Sequence, residues 1–224
     1  MYWHMRLRPL TIPIAAVLAC AAPALAGPGN TCAPVIDSVM ACVGTDRDEW
    51  LTTGNGDDTL DGRGGDDRLN ARAGDDVAYG GSGNDNAIHG GTGSDRLYGQ
   101  SGRDVVLGDE AGSGGADLVS GGSGSDRVFG MAGDDDVRGD SGNDVVHGGN
   151  GRDRVSGGDG HDVLDDAARS HQDPDSFSGG AGNDEIYSRD GKRDTVKCGR
   201  GSDVAKADRR DKVASDCERV IRIG

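Results

Sequence analysis

The sequence predicts an all-β fold, a right-handed parallel β-roll of nonapeptide repeats closed by short disulfide-bearing caps. Three features predict it. An aspartate recurs at Asp58, Asp67, Asp76, Asp85, Asp95, Asp104, Asp117, Asp126, Asp135, Asp144, Asp153, Asp162, Asp175, Asp184, Asp194 and Asp203, mostly nine residues apart, and marks the sixth place of sixteen units. The fourth place is Gly in fourteen of the sixteen. The eighth place is Leu, Val, Ile or Phe in thirteen and Ala in three, namely Ala78, Ala87 and Ala205. A fixed short period of this kind is the mark of a solenoid, in which each unit buries its apolar side only against its neighbours.

Residues 1–26 stand outside the period. Arg6 and Arg8 precede an apolar run from Leu10 to Ala22, and Ala24-Leu25-Ala26 is a small-residue cleavage site. This pattern predicts a secretory signal peptide and an extracellular destination. The run is too short to span a bilayer, and no later stretch is apolar enough to be a transmembrane segment. A minor alternative is a lipoprotein anchor at Cys20, since Val17-Leu18-Ala19-Cys20 loosely follows a lipidation motif.

The remaining chain carries 22 Lys+Arg against 39 Asp+Glu, a net charge of −17. Leu, Ile, Val and Phe together make up only 31 of its 198 residues. That combination falls in the range of disordered chains, which cannot bury enough apolar surface to offset backbone entropy. A positive partner has to supply the missing stability. The same charge excludes nucleic acid as a partner.

Within a unit, the glycines let the first six residues turn tightly. The last three residues suit a short strand whose middle side chain points inward. Two units then make one coil, and stacked coils line up their aspartates along both edges of the roll. Strands stack only ~5 Å apart, so ranks of carboxylates at that spacing repel unless cations lie between them. Carboxylate and carbonyl oxygens are hard ligands, and flexible turns suit Ca²⁺ with its six to eight oxygens better than Mg²⁺. The pattern therefore predicts a calcium-stacked solenoid binding multiple Ca²⁺. Zinc is disfavoured, because the histidines are scattered and the cysteines are even in number.

Six units carry a complete turn: GGSGND (80–85), GGTGSD (90–95), GGSGSD (121–126), GGNGRD (148–153), GGDGHD (157–162) and GGAGND (179–184). Here the chain resembles the repeats-in-toxin (RTX, haemolysin-type) calcium-binding repeat family over about residues 53–206. The resemblance implies that turn carbonyls and sixth-place aspartates of adjacent coils hold each Ca²⁺. Carried over unit by unit, the implied ligands are Asp58, Asp67, Asp76, Asp85, Asp95, Asp104, Asp117, Asp126, Asp135, Asp144, Asp153, Asp162, Asp184 and Asp203, with turn residues Gly80, Gly90, Gly121, Gly148, Gly157 and Gly179. Asp175 and Asp194 stay outside that set, because SHQDPD (170–175) and RDGKRD (189–194) have lost the glycines of the first, second and fourth places.

Residues 27–52 break the period and read as an N-terminal cap, residues 53–188 as the roll, and residues 189–224 as degenerate repeats with a basic cap. Cys32, Cys42, Cys198 and Cys217 allow three pairings. A solenoid holds its ends apart, which favours the local pairs Cys32–Cys42 and Cys198–Cys217 over the crossed ones. Residues 189–224 carry eleven Lys+Arg against seven Asp+Glu, while residues 27–188 carry 11 against 32. The basic end either complements the acidic roll or binds an anionic cell-wall or extracellular polysaccharide.

Other motifs fall into the repeat register. Gly139-Asp140-Ser141-Gly142 resembles the surroundings of a serine nucleophile, and Arg138-Gly139-Asp140 an integrin tripeptide, but both lie where the period places turns. Tyr79, Tyr98, Phe129 and Tyr187 hold ninth places and read as packing on the roll face. His147, His161 and His171 read as exposed turn or loop residues. With no acid–base pair outside the repeats, the expectation is a non-enzymatic, secreted calcium-binding protein with a structural or surface-adhesive role. The alternative is a calcium-dependent accessory or polysaccharide-modifying enzyme.

Overall fold

The computed structural model describes residues 30–31, 39–109, 114–165 and 173–223. The expected signal peptide, residues 1–26 with Cys20, lies outside these residues, as do Cys32 and His171. All regular structure among the described residues is strand, arranged in two parallel sheets of eleven and ten strands. Successive strands alternate between the sheets, so two strands and two turns complete one coil.

Register follows from the eighth-place side chains. In one sheet Leu60, Ala78, Leu97, Val119, Val137, Val155, Phe177 and Val196 stack directly on one another. In the other the column is Leu51, Leu69, Ile88, Val106, Val128, Val146, Leu164, Ile186 and Ala205. All of these are buried. Strand Val145–Asn150 shows the rule, with Val146 buried between half-buried Val145 and His147. A one-residue slip would turn the apolar column outward, which fixes the pairing.

One departure concerns the unit after Asp85. Ala87 was expected at the eighth place, but Ile88 is the buried residue and pairs with Leu69. The extra residue is Asn86, whose N–H donates to the Asp67 carbonyl at 3.1 Å before the strand begins. The chain thus absorbs its insertion as a local bulge that keeps the larger side chain inside.

The flanking segments share the solenoid's register. Ala41–Val43 pairs with Thr59–Asp61, and Cys42 lies buried over Leu60. At the other end Arg219–Ile223 pairs with Val204–Asp208. Cys198 and Cys217 form the expected disulfide, 19 residues apart in sequence. Cys42 is also disulfide-bonded.

One apolar residue per unit leaves little redundancy. Phe177 is the largest fully buried side chain. Phe177→Ala is expected to lower stability in calcium by about 3–5 kcal/mol, read as a lower urea midpoint. An unchanged midpoint would mean that the column is not what holds the coils.

Candidate metal centre

The sixth-place aspartates lie just before each strand, at the inner corner of each turn. All sixteen are buried, with 0–3% of their surface exposed. The solenoid sorts them into two ladders, one on each edge. In the first, the backbone N–H of Asp58, Asp76, Asp95, Asp117 and Asp135 each donates to Oδ1 of the aspartate one coil further on, at 2.6–2.9 Å. In the second, Asp67, Asp85, Asp104, Asp126, Asp144, Asp162 and Asp184 do the same at 2.8–3.0 Å.

Each carboxylate thus commits Oδ1 to the backbone. The second oxygen is different. Oδ2 of Asp67, Asp76, Asp85, Asp95, Asp104, Asp117, Asp126, Asp135, Asp144, Asp162, Asp184 and Asp203 is buried and accepts no hydrogen bond. A buried polar atom without a partner costs about 1–3 kcal/mol, and more when charged, so a periodic series of them marks an electrostatic deficit built into the fold.

The first-place glycines explain where those oxygens point. A β-carbon at Gly139 would lie 2.5 Å from Asp144 Oδ2 and 2.7 Å from the Gly157 carbonyl oxygen of the next coil. The space beside this glycine is therefore one on which two hard oxygens converge. Gly80, Gly90, Gly121, Gly148, Gly157 and Gly179 all hold this first place, each against Oδ2 of its own unit's aspartate.

The electrostatic consequence is large. Burial, opposed by the backbone hydrogen bond and reinforced by neighbouring carboxylates, pushes the carboxyls of Asp67, Asp76, Asp104, Asp117, Asp135 and Asp144 up to about 7. Asp95 and Asp162 rise to about 6 for the same leading cause. The ladders hold their charge poorly by themselves. An oxygen-only set of carboxylates and carbonyls facing one another between coils fits a hard divalent cation, which would neutralise both sides at once.

Asp175 and Asp194, left out of the expected ligand set, occupy the same ladder. Asp153 N–H donates to Asp175 Oδ1 at 2.8 Å, and Asp175 N–H to Asp194 Oδ1 at 2.9 Å. Two carboxylates that the period did not reveal continue the ladders. Asp211 Oδ1 accepts from Asp194 N–H at 3.1 Å, and Glu218 Oε2 accepts from Asp203 N–H at 2.9 Å. Asp211 stands 17 residues after Asp194, one short of a two-unit step, so its register was hidden by a single deletion. A further buried carboxylate, Asp109, lies beside Asp95 and Asp117, and burial followed by repulsion from Asp117 pushes it up to about 8.

A second, outer ladder runs along the fifth places. Asp75 N–H donates to Asp57 Oδ1 at 3.0 Å, and Ser94 N–H to Asp75 Oδ1 at 2.9 Å. These side chains are exposed and serve the backbone. His161 belongs here too, accepting from Asn183 N–H through Nδ1. His147, expected in an exposed turn, is a strand residue instead, half-buried and stacked on Phe129 at 4.9 Å. Tyr79 stacks on Tyr98 at 5.2 Å, which is the face packing expected of the ninth places.

A family model for the RTX calcium-binding nonapeptide repeat matches residues 43–78, 62–86, 79–110, 111–146, 132–164 and 172–205. The chain belongs to the RTX calcium-binding repeat family. No curated protein matches it. As a member of that family it is a calcium-binding repeat protein, and the paired ladders are where this RTX roll concentrates buried carboxylate oxygens. No helix among the described residues is long and apolar enough to cross a membrane.

Proposed function

We propose that this RTX chain is a secreted structural protein whose sixth-place aspartates and turn carbonyls bind a series of Ca²⁺ ions, and that it folds as those ions bind after export. One observation carries this reading: rung after rung ends in a buried carboxylate oxygen with no proton donor, opposite a carbonyl of the next coil. In calcium-poor cytosol such a chain stays unfolded, because its ladders repel and its apolar column is thin. Where calcium reaches the millimolar range of extracellular modules, binding and folding become one event. Residues 1–26 are the export signal in this reading, residues 53–188 the calcium-loaded roll, and residues 27–52 and 189–224 the ends that protect it.

The structural role is adhesive as well. Arg209, Arg210 and Lys212 are exposed near the C-terminal end, while the roll is acidic. This end is suited to an anionic cell-wall or extracellular polysaccharide. The function needs no catalytic group.

The test is far-UV circular dichroism of the chain lacking residues 1–26 during calcium titration, with the number of bound ions from calorimetry. The expected result is a disordered spectrum in chelator and a cooperative gain of β signal with several Ca²⁺ per chain. An identical β spectrum in excess chelator and in calcium would overturn the reading. Sedimentation with polysaccharide, with and without calcium, tests the adhesive part.

A further inference from the structure

The occupant of the second place of the turn varies in charge from rung to rung. It is Gly in the six complete turns, and Arg63, Arg72, Gln100, Met131 or Asp140 in five of the other units. Asp109 stands at the same place, directly after Gly108 and just ahead of the four-residue insertion before Asp117. Asp140 and Asp109 are chemically alike but differently placed. Asp140 is exposed, and its Oδ2 accepts from Ser120 Oγ. Asp109 is 2% exposed.

Asp109 is held by one oxygen only. Gly115 N–H donates to its Oδ2 at 3.1 Å, while its Oδ1 is buried and accepts nothing. Asp95 and Asp117 are in the same condition. Asp95 Oδ1 accepts from Asp76 N–H, and Asp117 Oδ1 from Asp95 N–H, both at 2.8 Å, and both Oδ2 atoms are without a partner. Three carboxylates thus each have one committed and one open oxygen. Ligand atoms of the three lie within 4.8 Å of one another. Two oxygens bound to one Ca²⁺ at 2.3–2.6 Å are at most about 5.2 Å apart, so the cluster spans what one such ion spans.

We propose that Asp95, Asp109 and Asp117 form a three-carboxylate cation site, different in composition from the other rungs, and that this site takes the first Ca²⁺ bound by the chain. This rests on the reading of the roll as a calcium binder and adds an order of filling. The site gathers three formal charges where a rung that lacks Asp109 gathers only ladder carboxylates. Affinity for Ca²⁺ in oxygen sites rises with the number of charged ligands and the rigidity of the site. The position suits nucleation: Asp95 and Asp117 belong to adjacent coils near the middle of the chain, and Asp109 comes from the segment that joins them. One ion there brings two coils into register, from which stacking propagates both ways.

The experiment uses the chain lacking residues 1–26 and titrates it with Ca²⁺ by calorimetry, with Tb³⁺ luminescence in parallel. The wild type is expected to fill one site ahead of the others. Asp109→Asn is expected to weaken that first step by about tenfold or more, Asp109→Glu to restore most of it, and Asp140→Asn to leave it in place. A Asp109→Asn titration that superimposes on the wild type overturns the proposal. Carbodiimide footprinting of the wild type at one Ca²⁺ per chain gives a second measure independent of any variant. The peptide holding Asp109 and Asp117 should be protected before the one holding Asp144, and even protection along the chain would overturn the order. If no variant and no wild-type chain bound calcium, the functional reading itself would fail, which is a distinguishable result.

Discussion

Gly142→Ala is expected to abolish calcium-induced folding at calcium concentrations that fold the wild type. Gly142 holds the fourth place of its turn with φ at +136°, a conformation that side-chain-bearing residues rarely adopt. The added β-carbon would overlap the carbonyl group of Gly124, the fourth-place glycine one coil earlier. Neither coil has room to yield. Gly142 N–H donates to the Asp159 carbonyl at 2.7 Å, and Gly124 N–H to the Ser141 carbonyl at 2.8 Å, so relief of the overlap breaks bonds in both directions. Backbone strain and lost stacking together exceed about 4 kcal/mol, a large share of the stability of a domain this size. Gly191 is the control. Its φ is also positive, at +88°, but nothing lies within 4 Å of an added β-carbon. Gly191→Ala should therefore cost only about 1–2 kcal/mol and shift the calcium midpoint slightly. A Gly142→Ala chain with the wild-type midpoint in circular dichroism would show that the coils are not stacked at this distance.

The same contact explains why so much of the fold was legible in the sequence. The fourth place tolerates only glycine where coils touch, so it is written into fourteen units. The second place also takes positive φ, yet Arg63, Arg72, Gln100, Met131 and Asp140 adopt it, and none of the five is buried. Period, apolar column and ladder aspartates could all be read because each obeys a strict positional demand. The illegible parts are those where the demand is met by something other than position. Ile88 replaces Ala87 in the core because a bulge at Asn86 shifts the register by one. Asp175 and Asp194 keep their ladder places without the usual glycines. Asp211 and Glu218 reach the ladders from irregular spacings. Asp109 was hidden because an insertion follows it, and only the fold brings it against Asp95 and Asp117.

Acid should partly replace calcium. In excess chelator at about pH 8 the chain is expected to be disordered, and acidification to about pH 5 should bring back a substantial part of the β signal. In the folded chain the carboxyls of Asp67, Asp76, Asp104, Asp117, Asp135 and Asp144 lie near 7, raised from 3.8 by burial first and by neighbouring carboxylates after it. The folded state therefore holds more protons than the unfolded one between those values. Its calcium-free stability is complete below the unfolded pKa and is lost as pH rises through about 7. Calcium works in the opposite direction, since it needs the ionised carboxylates and its hold weakens as pH falls through that same range. A neutral substitution separates the two effects. Asp135→Asn keeps an oxygen for the Asp117 N–H and removes one buried charge. It should raise the β content in chelator at about pH 8 and raise the calcium concentration needed to complete folding. Both signs must hold together. If Asp135→Asn weakened folding equally with and without calcium, the ladder carboxylates would be ordinary structural acceptors, and charge neutralisation would not be what stacks the coils.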